Sequence, residues 1–137
     1  MININMSFKK VRSAHKTENT EDYLELIAQL LSLKGEARIV DIASELGIAQ
    51  ATANKTIKRL HQQGYIKREP YRSIFLSVKG QKIASKSKKR HHIVLNFLLN
   101  LGVDIKTASA DAEGIEHHVS EKTLKKMGKF NSLKKKI

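Results

Sequence analysis

The chain has 137 residues, no cysteine, and a formal net charge of +13 that comes from 26 lysine and arginine residues against 13 acidic ones. This length allows one or two small domains and excludes a large enzyme scaffold, and the lack of cysteine excludes disulfides and thiolate metal sites. The positive charge indicates a polyanionic partner, most often nucleic acid, although a basic surface that only keeps the protein soluble would give the same balance. Without a signal-peptide-like N-terminus or a run of about 20 apolar residues, we expect a cytoplasmic protein.

The N-terminal part of the sequence divides into a basic arm and a helix. Residues 1–17 show no hydrophobic period, so we expect a mobile arm that contacts phosphates. A helical pattern then begins after an N-cap at Asn19 or Thr20. Asp22 and Glu25 share one side of it, where acidic residues near a helix N-terminus are ordinarily favourable. Its apolar face consists of Tyr23, Leu24, Ile27, Leu30 and Leu31.

The next segment has the pattern of a helix-turn-helix. A short helix around residues 40–46, a turn at Gly47 and a second helix around residues 50–63 are predicted. The apolar residues Ile42, Ala43, Leu46, Ala53, Ile57 and Leu60 are expected to pack together. The opposite face of the second helix carries small, amide and cationic side chains, which suit a DNA major groove. There Asn54 can pair with adenine, and lysine with guanine or phosphate. The predicted DNA contacts are Gln50, Ala51, Thr52, Asn54, Lys55 and Lys58.

A short hairpin is predicted directly after the second helix. Two strands are joined near residues 69–73, and Pro70 fits the connecting turn because it cannot donate to a strand ladder. A hairpin in this position is a wing, with Lys67, Arg68 and Arg72 along the DNA backbone or minor groove. Solvation alone would also explain these cations, but their place beside the second helix favours phosphate contact.

The C-terminal half is predicted to be helical throughout. A long helix runs from Val78 to about Leu101, and His91 lies at the edge of its apolar stripe. From periodicity alone, a histidine in this place is more often a core residue than a ligand. A shorter helix from about Ile105 to Val119 follows, and Ser120 caps a final one.

An acidic and histidine-rich cluster, E-G-I-E-H-H, stands near the end of the shorter helix. At about 100° per residue, Glu113, Glu116 and His117 share one face, whereas His118 points away. Two carboxylates and an imidazole suit a divalent cation that accepts oxygen and nitrogen ligands. Taken alone, such a cluster is more typical of a solvated charged face than of a metal site. The recurrence of such side chains elsewhere in the chain favours a metal site.

The order helix, winged helix-turn-helix, long helix and E-G-I-E-H-H resembles the diphtheria-toxin-repressor family of metalloregulators, in particular its manganese-responsive branch. The resemblance extends from about Asp22 to Thr123 and includes the motifs D-Y-x-E and R-H. It implies a homodimeric DNA-binding repressor with a binuclear manganese centre. Sulfur ligands of iron-responsive relatives are replaced here by carboxylates, which favours manganese. The implied metal ligands are Asp22, Glu25, His91, Glu113, Glu116 and His117.

The predicted fold is mainly α. After the arm, a winged helix-turn-helix domain at residues 18–77 precedes an all-helical dimerisation and metal-binding domain at residues 78–137. Metal is expected to clamp the two halves, so that paired recognition helices meet a palindromic operator with half-sites about 34 Å apart, or a multiple of it. The expected function is manganese(II)-dependent repression of manganese-uptake genes.

Two other classes of function are compatible with parts of the sequence. A metal-independent basic nucleic-acid-binding protein would bind without regard to sequence or chelators, but an aromatic content of 5% offers little for stacking on single strands. A metal-dependent hydrolase is disfavoured because E-G-I-E-H-H lacks the H-E-x-x-H spacing of zinc proteases and no nucleophile accompanies it. We therefore expect no enzymatic activity.

Overall fold

The chain forms six helices and a two-stranded hairpin within the residues described by the computed structural model, which are residues 4–69 and 73–135, with side chains from residue 17 onward. In chain order these elements are α1 (Ile4–Lys34), α2 (Ile39–Leu46), α3 (Gln50–Gln62), β1 (Ile66–Arg68), β2 (Ile74–Leu76), α4 (Val78–Asn100), α5 (Ile105–Ile115) and α6 (Glu121–Lys135). This mainly helical architecture confirms the predicted fold class. No helix among these residues is both long and apolar enough to cross a membrane.

The chain divides into two compact units. The winged unit comprises Asn19–Ser85, and the helical unit comprises Met1–Glu18 together with Lys86–Ile137. Each unit has its own core of buried apolar side chains. The boundaries fall inside α1 and α4, because these two helices each contribute residues to both units.

The winged unit is built around the apolar faces of α1 and α3. Side chains predicted to be internal, including Leu24, Ile27 and Ile57, have no exposed surface. The strands pair antiparallel, with Ile66 opposite Leu76. The backbone N–H of Ile74 also donates to the carbonyl oxygen of Ala37 at 2.8 Å, which joins the hairpin to the segment before α2.

The helix-turn-helix forms as predicted. Gly47 ends α2 with φ of 66°, a left-handed conformation that glycine adopts without a Cβ clash. Ala53, Ile57 and Leu60 are fully buried on the inner side of α3. The expectation for Leu46 was wrong, since this residue remains 36% exposed. It is the last residue of α2, directly before the turn at Gly47.

The first helix begins much earlier than predicted. α1 starts at Ile4 and runs to Lys34, so the expected N-cap at Asn19 or Thr20 is wrong, and residues 4–17 are helical. Adding a residue to an existing helix costs far less than nucleating a new one. The sequence has no glycine or proline before Gly35, so nothing in it interrupts the helix. The predicted phosphate contacts of this segment fall on side chains outside the described part.

The core of the helical unit lies between α4, α5 and α6. Val94, Ala112 and Leu124 are buried there, and Leu98 packs against them. A polar contact fixes α6 on α4, because the buried Asn131 donates from Nδ2 to the carbonyl oxygen of Ile93 at 3.0 Å. This hydrogen bond can form in only one register of the two helices, whereas apolar packing alone would tolerate a shift.

Side-chain caps start both α5 and α6. The carboxylate of Asp104 accepts a hydrogen bond from the backbone N–H of Thr107 at 3.0 Å, and this bond, together with the Thr107 hydroxyl, lowers the pKa of Asp104. The predicted cap at Ser120 is confirmed by a 3.2 Å hydrogen bond from the backbone N–H of Thr123 to Ser120 Oγ.

The fifth helix is shorter than predicted. α5 ends at Ile115 instead of Val119, and residues 116–118 form turns. The N–H groups of His117 and His118 bond to carbonyl oxygens three residues earlier, as in a 3₁₀ turn. The E-G-I-E-H-H segment therefore begins on a helix and continues into a turn, so a single helical period does not describe its side chains.

Replacement of Gly80 by alanine tests the packing of α4 against the backbone just before β1. A Cβ at Gly80 would lie 2.1 Å from the backbone carbonyl oxygen of Tyr65, so the backbone would have to shift. We expect Gly80→Ala to lower the free energy of unfolding by about 3 kcal/mol, the upper end of the cost of overpacking. Urea denaturation followed by circular dichroism measures this change.

The matched control is Gly128→Ala. A Cβ at Gly128, inside α6, meets no atom within 4 Å. Alanine should therefore raise the free energy of unfolding by about 0.5–1 kcal/mol through its helix propensity. Equal effects of the two substitutions would contradict the close approach at Gly80.

Candidate metal centre and DNA-binding surface

The helical unit gathers two imidazoles and a second carboxylate around the carboxylate of Glu116. His91 Nδ1 lies 2.9 Å from Glu116 Oε2 and 3.6 Å from Glu113 Oε1. His117 Nε2 lies 3.3 Å from Glu116 Oε1. His91 comes from α4, Glu113 from α5, and the other two residues from the turn after α5. The sequence analysis named all four residues as ligands, and the structure brings them together.

The four side chains differ strongly in burial. Glu116 is 1% exposed and the His117 side chain is fully buried, whereas the Glu113 side chain is 64% exposed. Removing a carboxylate from water costs several kcal/mol in effective terms unless a compensating positive charge is close. A divalent cation at the buried end of this cluster would supply that charge, while Glu113 keeps the other end open to solvent.

The donor atoms fit a divalent metal ion. One ligand atom each from His91, Glu113 and Glu116 can be chosen so that all lie within 4.8 Å of one another. His91 Nδ1 is buried at 2.9 Å from a carboxylate oxygen without forming a hydrogen bond. An imidazole nitrogen and carboxylate oxygens that converge without hydrogen-bond geometry form a donor set suited to manganese, iron or zinc.

Two of the six predicted ligands belong to the winged unit. Asp22 and Glu25 lie on α1, are partly exposed, and are separated by three residues, which places them on one side of the helix. Their membership of the metal centre stays a prediction. His118 was predicted to point away from the cluster, and its Nε2 lies 3.0 Å from Glu18 Oε2.

Arg90 holds the turn that carries Glu116 and His117. Its Nε donates to the carbonyl oxygen of Glu116 at 2.9 Å, and its Nη2 donates to that of Val119. A third bond, from Nη1 to Glu121 Oε1 at 2.7 Å, reaches the start of α6. These carbonyl groups follow the end of α5 and have no partner in a continuing helix, so the arginine provides the donors that the helix no longer supplies.

The sequence analysis did not assign this role to Arg90. The residue directly precedes His91, so the R-H motif was visible, but the helical period places it on a different side of α4 from the histidine. Its partners are two backbone carbonyl groups, which have no signature in a sequence. Only the early end of α5 creates a need for them.

The outer face of α3 presents the side chains predicted to contact DNA. Asn54 is partly buried, and the rest of that set on α3, namely Gln50, Ala51, Thr52, Lys55 and Lys58, is exposed. In the wing, Lys67 and Arg68 are exposed on β1, and Arg68 Nη1 donates to Asn54 Oδ1 at 2.9 Å. Arg72 and Pro70 lie outside the described residues. The exposed amides and cations on a helix that follows a tight turn form a surface suited to a major groove.

Comparison with known proteins assigns both the α3 surface and the candidate metal centre to domains of one protein family. Residues 15–74 match the family model described as "Iron dependent repressor, N-terminal DNA binding domain". Residues 77–134 match "Iron dependent repressor, metal binding and dimerisation domain". The chain belongs to the iron-dependent repressor family. The two matched segments correspond to the winged helix-turn-helix and to the helices that carry the metal cluster.

Individual members of the iron-dependent repressor family are similar over most of the chain. "Transcriptional regulator MntR" of Escherichia coli O157:H7 is 52% identical over 117 residues, which are 85% of this chain and 76% of that protein. "HTH-type transcriptional regulator MntR" of Bacillus subtilis (strain 168) is 38% identical over 112 residues, 82% of this chain and 79% of that protein. The solved "Structure of the manganese regulator SloR" has a TM-score of 0.71 and 26% identity, and covers 81% of this chain. The chain spans about half, 52%, of that structure's length.

Membership of the iron-dependent repressor family establishes the general function. The protein is a metal-responsive, DNA-binding transcriptional repressor that forms a homodimer, as predicted. Its relatives are transcriptional regulators, which confirms the prediction that it is not an enzyme. Neither the metal-independent nucleic-acid-binding protein nor the hydrolase is favoured by these matches.

Replacement of Arg90 by methionine tests the anchoring of the ligand-bearing turn. The Arg90 side chain is 12% exposed and donates to three acceptors. Arg90→Met leaves two carbonyl groups without this donor, and we expect the free energy of unfolding to fall by about 2 kcal/mol. Chemical denaturation without metal measures the loss.

Lys86→Met is the matched control for Arg90→Met. Lys86 Nζ also lies near Glu121, at 3.4 Å, but its side chain is 66% exposed and solvent weakens the pair. It should change stability by less than about 0.5 kcal/mol. If both substitutions had equally small effects, Arg90 would not anchor the turn.

Proposed function

We propose that the protein is a manganese(II)-dependent repressor whose metal centre is formed by Asp22, Glu25, His91, Glu113, Glu116 and His117. The observation that carries the proposal is the Glu116 carboxylate, which is 1% exposed and lies within 3.3 Å of imidazole nitrogens from His91 and His117. All six side chains donate oxygen or nitrogen, which suits a hard divalent cation. The similarity to regulators named MntR supports manganese in particular.

We propose a binuclear centre. The six side chains include four carboxylates, and two divalent cations would balance their formal charge. A bound cation supplies positive charge and coordination bonds at this cluster. Zinc and copper bind such ligands more tightly than manganese, according to the Irving–Williams order. Selectivity must therefore come from ligand geometry, and the turn held by Arg90 sets the geometry of Glu116 and His117.

The proposed regulation follows from the positions of the ligands in the chain. Asp22 and Glu25 lie on α1 beside the core of the winged unit, whereas the other four ligands belong to the helical unit. Without a cation, the four carboxylates repel one another and favour separation of the groups that carry them. Binding of divalent cations neutralises the carboxylates and removes this repulsion. It would thereby restrict motion between the units and favour operator binding. A 100-fold change in operator affinity requires about 2.8 kcal/mol of coupling.

The proposed DNA contacts are the exposed side chains of α3 and the wing. α3 would lie in the major groove of a palindromic operator, with half-sites one helical turn or a multiple of it apart. We place this activity in the cytoplasm, at operators of manganese-uptake genes. The residues assigned to DNA contact are Gln50, Ala51, Thr52, Asn54, Lys55, Lys58 and Arg72.

Operator binding in the presence of manganese and of a chelator tests the function. For the wild-type protein, fluorescence anisotropy with a labelled operator duplex should show about 100-fold tighter binding with manganese, in line with the coupling above. Glu113→Ala removes a proposed ligand whose side chain is 64% exposed, so the fold should tolerate it. This variant should bind weakly with or without manganese, and its weak binding should be salt-sensitive.

Asp111→Ala is the matched control for Glu113→Ala. It removes the same charge from an exposed position of α5 outside the proposed ligand set. It should retain the full response to manganese. Equal operator affinity of the wild-type protein with manganese and with chelator would contradict the proposed function.

A further inference from the structure

A side-chain hydrogen bond joins the exposed Arg68 of the wing to the partly buried Asn54 of α3. Arg68, the last residue of β1, donates from Nη1 to Oδ1 of Asn54 at 2.9 Å. The two residues are 14 positions apart in sequence, and both belong to the winged unit. The bond therefore links a cation of the wing to an amide on the helix that faces DNA.

Both residues of this bond lie in regular secondary structure, Asn54 in α3 and Arg68 in β1. Asn54 follows the fully buried Ala53 on α3, which restricts the helix at this point. Arg68 pairs with Ile74 in the hairpin. The chain returns from α3 to β1 through Gly64, whose φ of 80° permits the tight connection. Because neither backbone depends on a long loop, the Asn54 amide is held in place before DNA arrives.

The bond determines which end of the amide faces the wing. A guanidinium group has only donors, so the Asn54 atom that meets Arg68 must be the carbonyl oxygen. The Nδ2 group then points to the other side. Among the described residues, it has no hydrogen-bond partner. Asn54 therefore presents two N–H donors toward the outer side of α3.

This orientation changes the base that Asn54 can read. Bidentate pairing with adenine requires Oδ1 to accept from the adenine amino group while Nδ2 donates to N7. Here Oδ1 already accepts from Arg68, and the adenine amino group would also approach a positively charged donor. Guanine presents only acceptors, N7 and O6, on its major-groove edge. The second lone pair of Oδ1 could still accept, but the charge of Arg68 repels the adenine amino group and attracts the acceptors of guanine, so guanine is favoured over adenine.

We propose that Arg68 is a positioning residue that orients the Asn54 amide, so that Asn54 selects guanine at one base pair of each operator half-site. This inference rests on the proposed function, in which α3 enters the major groove. The remaining donors of Arg68 could contact a backbone phosphate, as proposed for the other wing cations. Arg68 thus affects base choice through Asn54, in addition to any charge contribution.

The experiment uses the full-length protein and a duplex probe. The probe is the sequence that the wild-type protein enriches from a randomised duplex pool with manganese present, followed by anisotropy measurements on its single-base-pair variants. Asn54→Ala identifies the base pair that depends on the amide, and guanine is expected there. Arg68→Met should reduce the preference for guanine at this pair about tenfold, the effect of losing one good base contact. In the Asn54→Ala background, Arg68→Met should cause no further loss of preference.

Two further variants separate orientation from charge. Asn54→Asp keeps an acceptor for Arg68 but removes the N–H donors, so it should lose the guanine preference as well. Lys67→Met removes the adjacent exposed cation of β1. It should weaken binding to all duplexes by the same factor. The slope of log affinity against log salt concentration should fall by about one. Thermal unfolding midpoints close to wild type show that the variants are folded.

Two results would overturn the inference. One is an adenine preference at the Asn54 base pair. The other is an Arg68→Met variant that behaves like Lys67→Met, with a uniform loss across all duplexes, which would make Arg68 a phosphate contact only. If the wild-type protein enriched no sequence with manganese, the proposed function itself would be wrong, and the role of this pair with it.

Discussion

The structure depends above all on a buried carboxylate. Glu116 is almost completely removed from solvent, and imidazole nitrogens of His91 and His117 lie within 3.3 Å of its two oxygens. A carboxylate in this position is costly without positive charge, whereas leucine or methionine would pack there at little cost. Together with Glu113, the Glu116 carboxylate forms one end of a donor set that suits a hard divalent cation.

The cluster is kept in shape by backbone contacts as much as by helix packing. The proposed ligands Glu116 and His117 lie beyond the end of α5, and Arg90 replaces the donors that a longer helix would have provided to this turn. The same principle underlies our proposal for the DNA-binding surface, because Arg68 has only donors and its bond to Asn54 orients the amide. In both proposed sites an arginine would position a side chain before its ligand binds, which would lower the entropic cost of binding.

The sequence predicted those features that depend on local patterns. The turn at Gly47, the buried face of α3 and the extent of α4 follow from apolar spacing and glycine, and the resemblance of E-G-I-E-H-H to a family motif pointed to side chains that lie together in the helical unit. The early start of α1 was missed because residues 4–17 have no amphipathic period, although nothing interrupts the helix. The end of α5 at Ile115 was missed because turn bonds replace helix bonds there. The roles of Arg90 and Arg68 depend on partners 14 or more residues away, which a helical period cannot show.

The most direct measurement of the central claim is the free energy of unfolding with and without manganese, for the wild-type protein and for Glu116→Gln. Manganese at about 100 times its dissociation constant should raise the wild-type value by about 2.7 kcal/mol per site. Glu116→Gln should be at least as stable as the wild type without metal, because burying an amide costs less than burying a carboxylate. Its free energy of unfolding should rise much less than that of the wild type when manganese is added. A wild-type stability that is unchanged by manganese, or an equal gain in Glu116→Gln, would contradict the account.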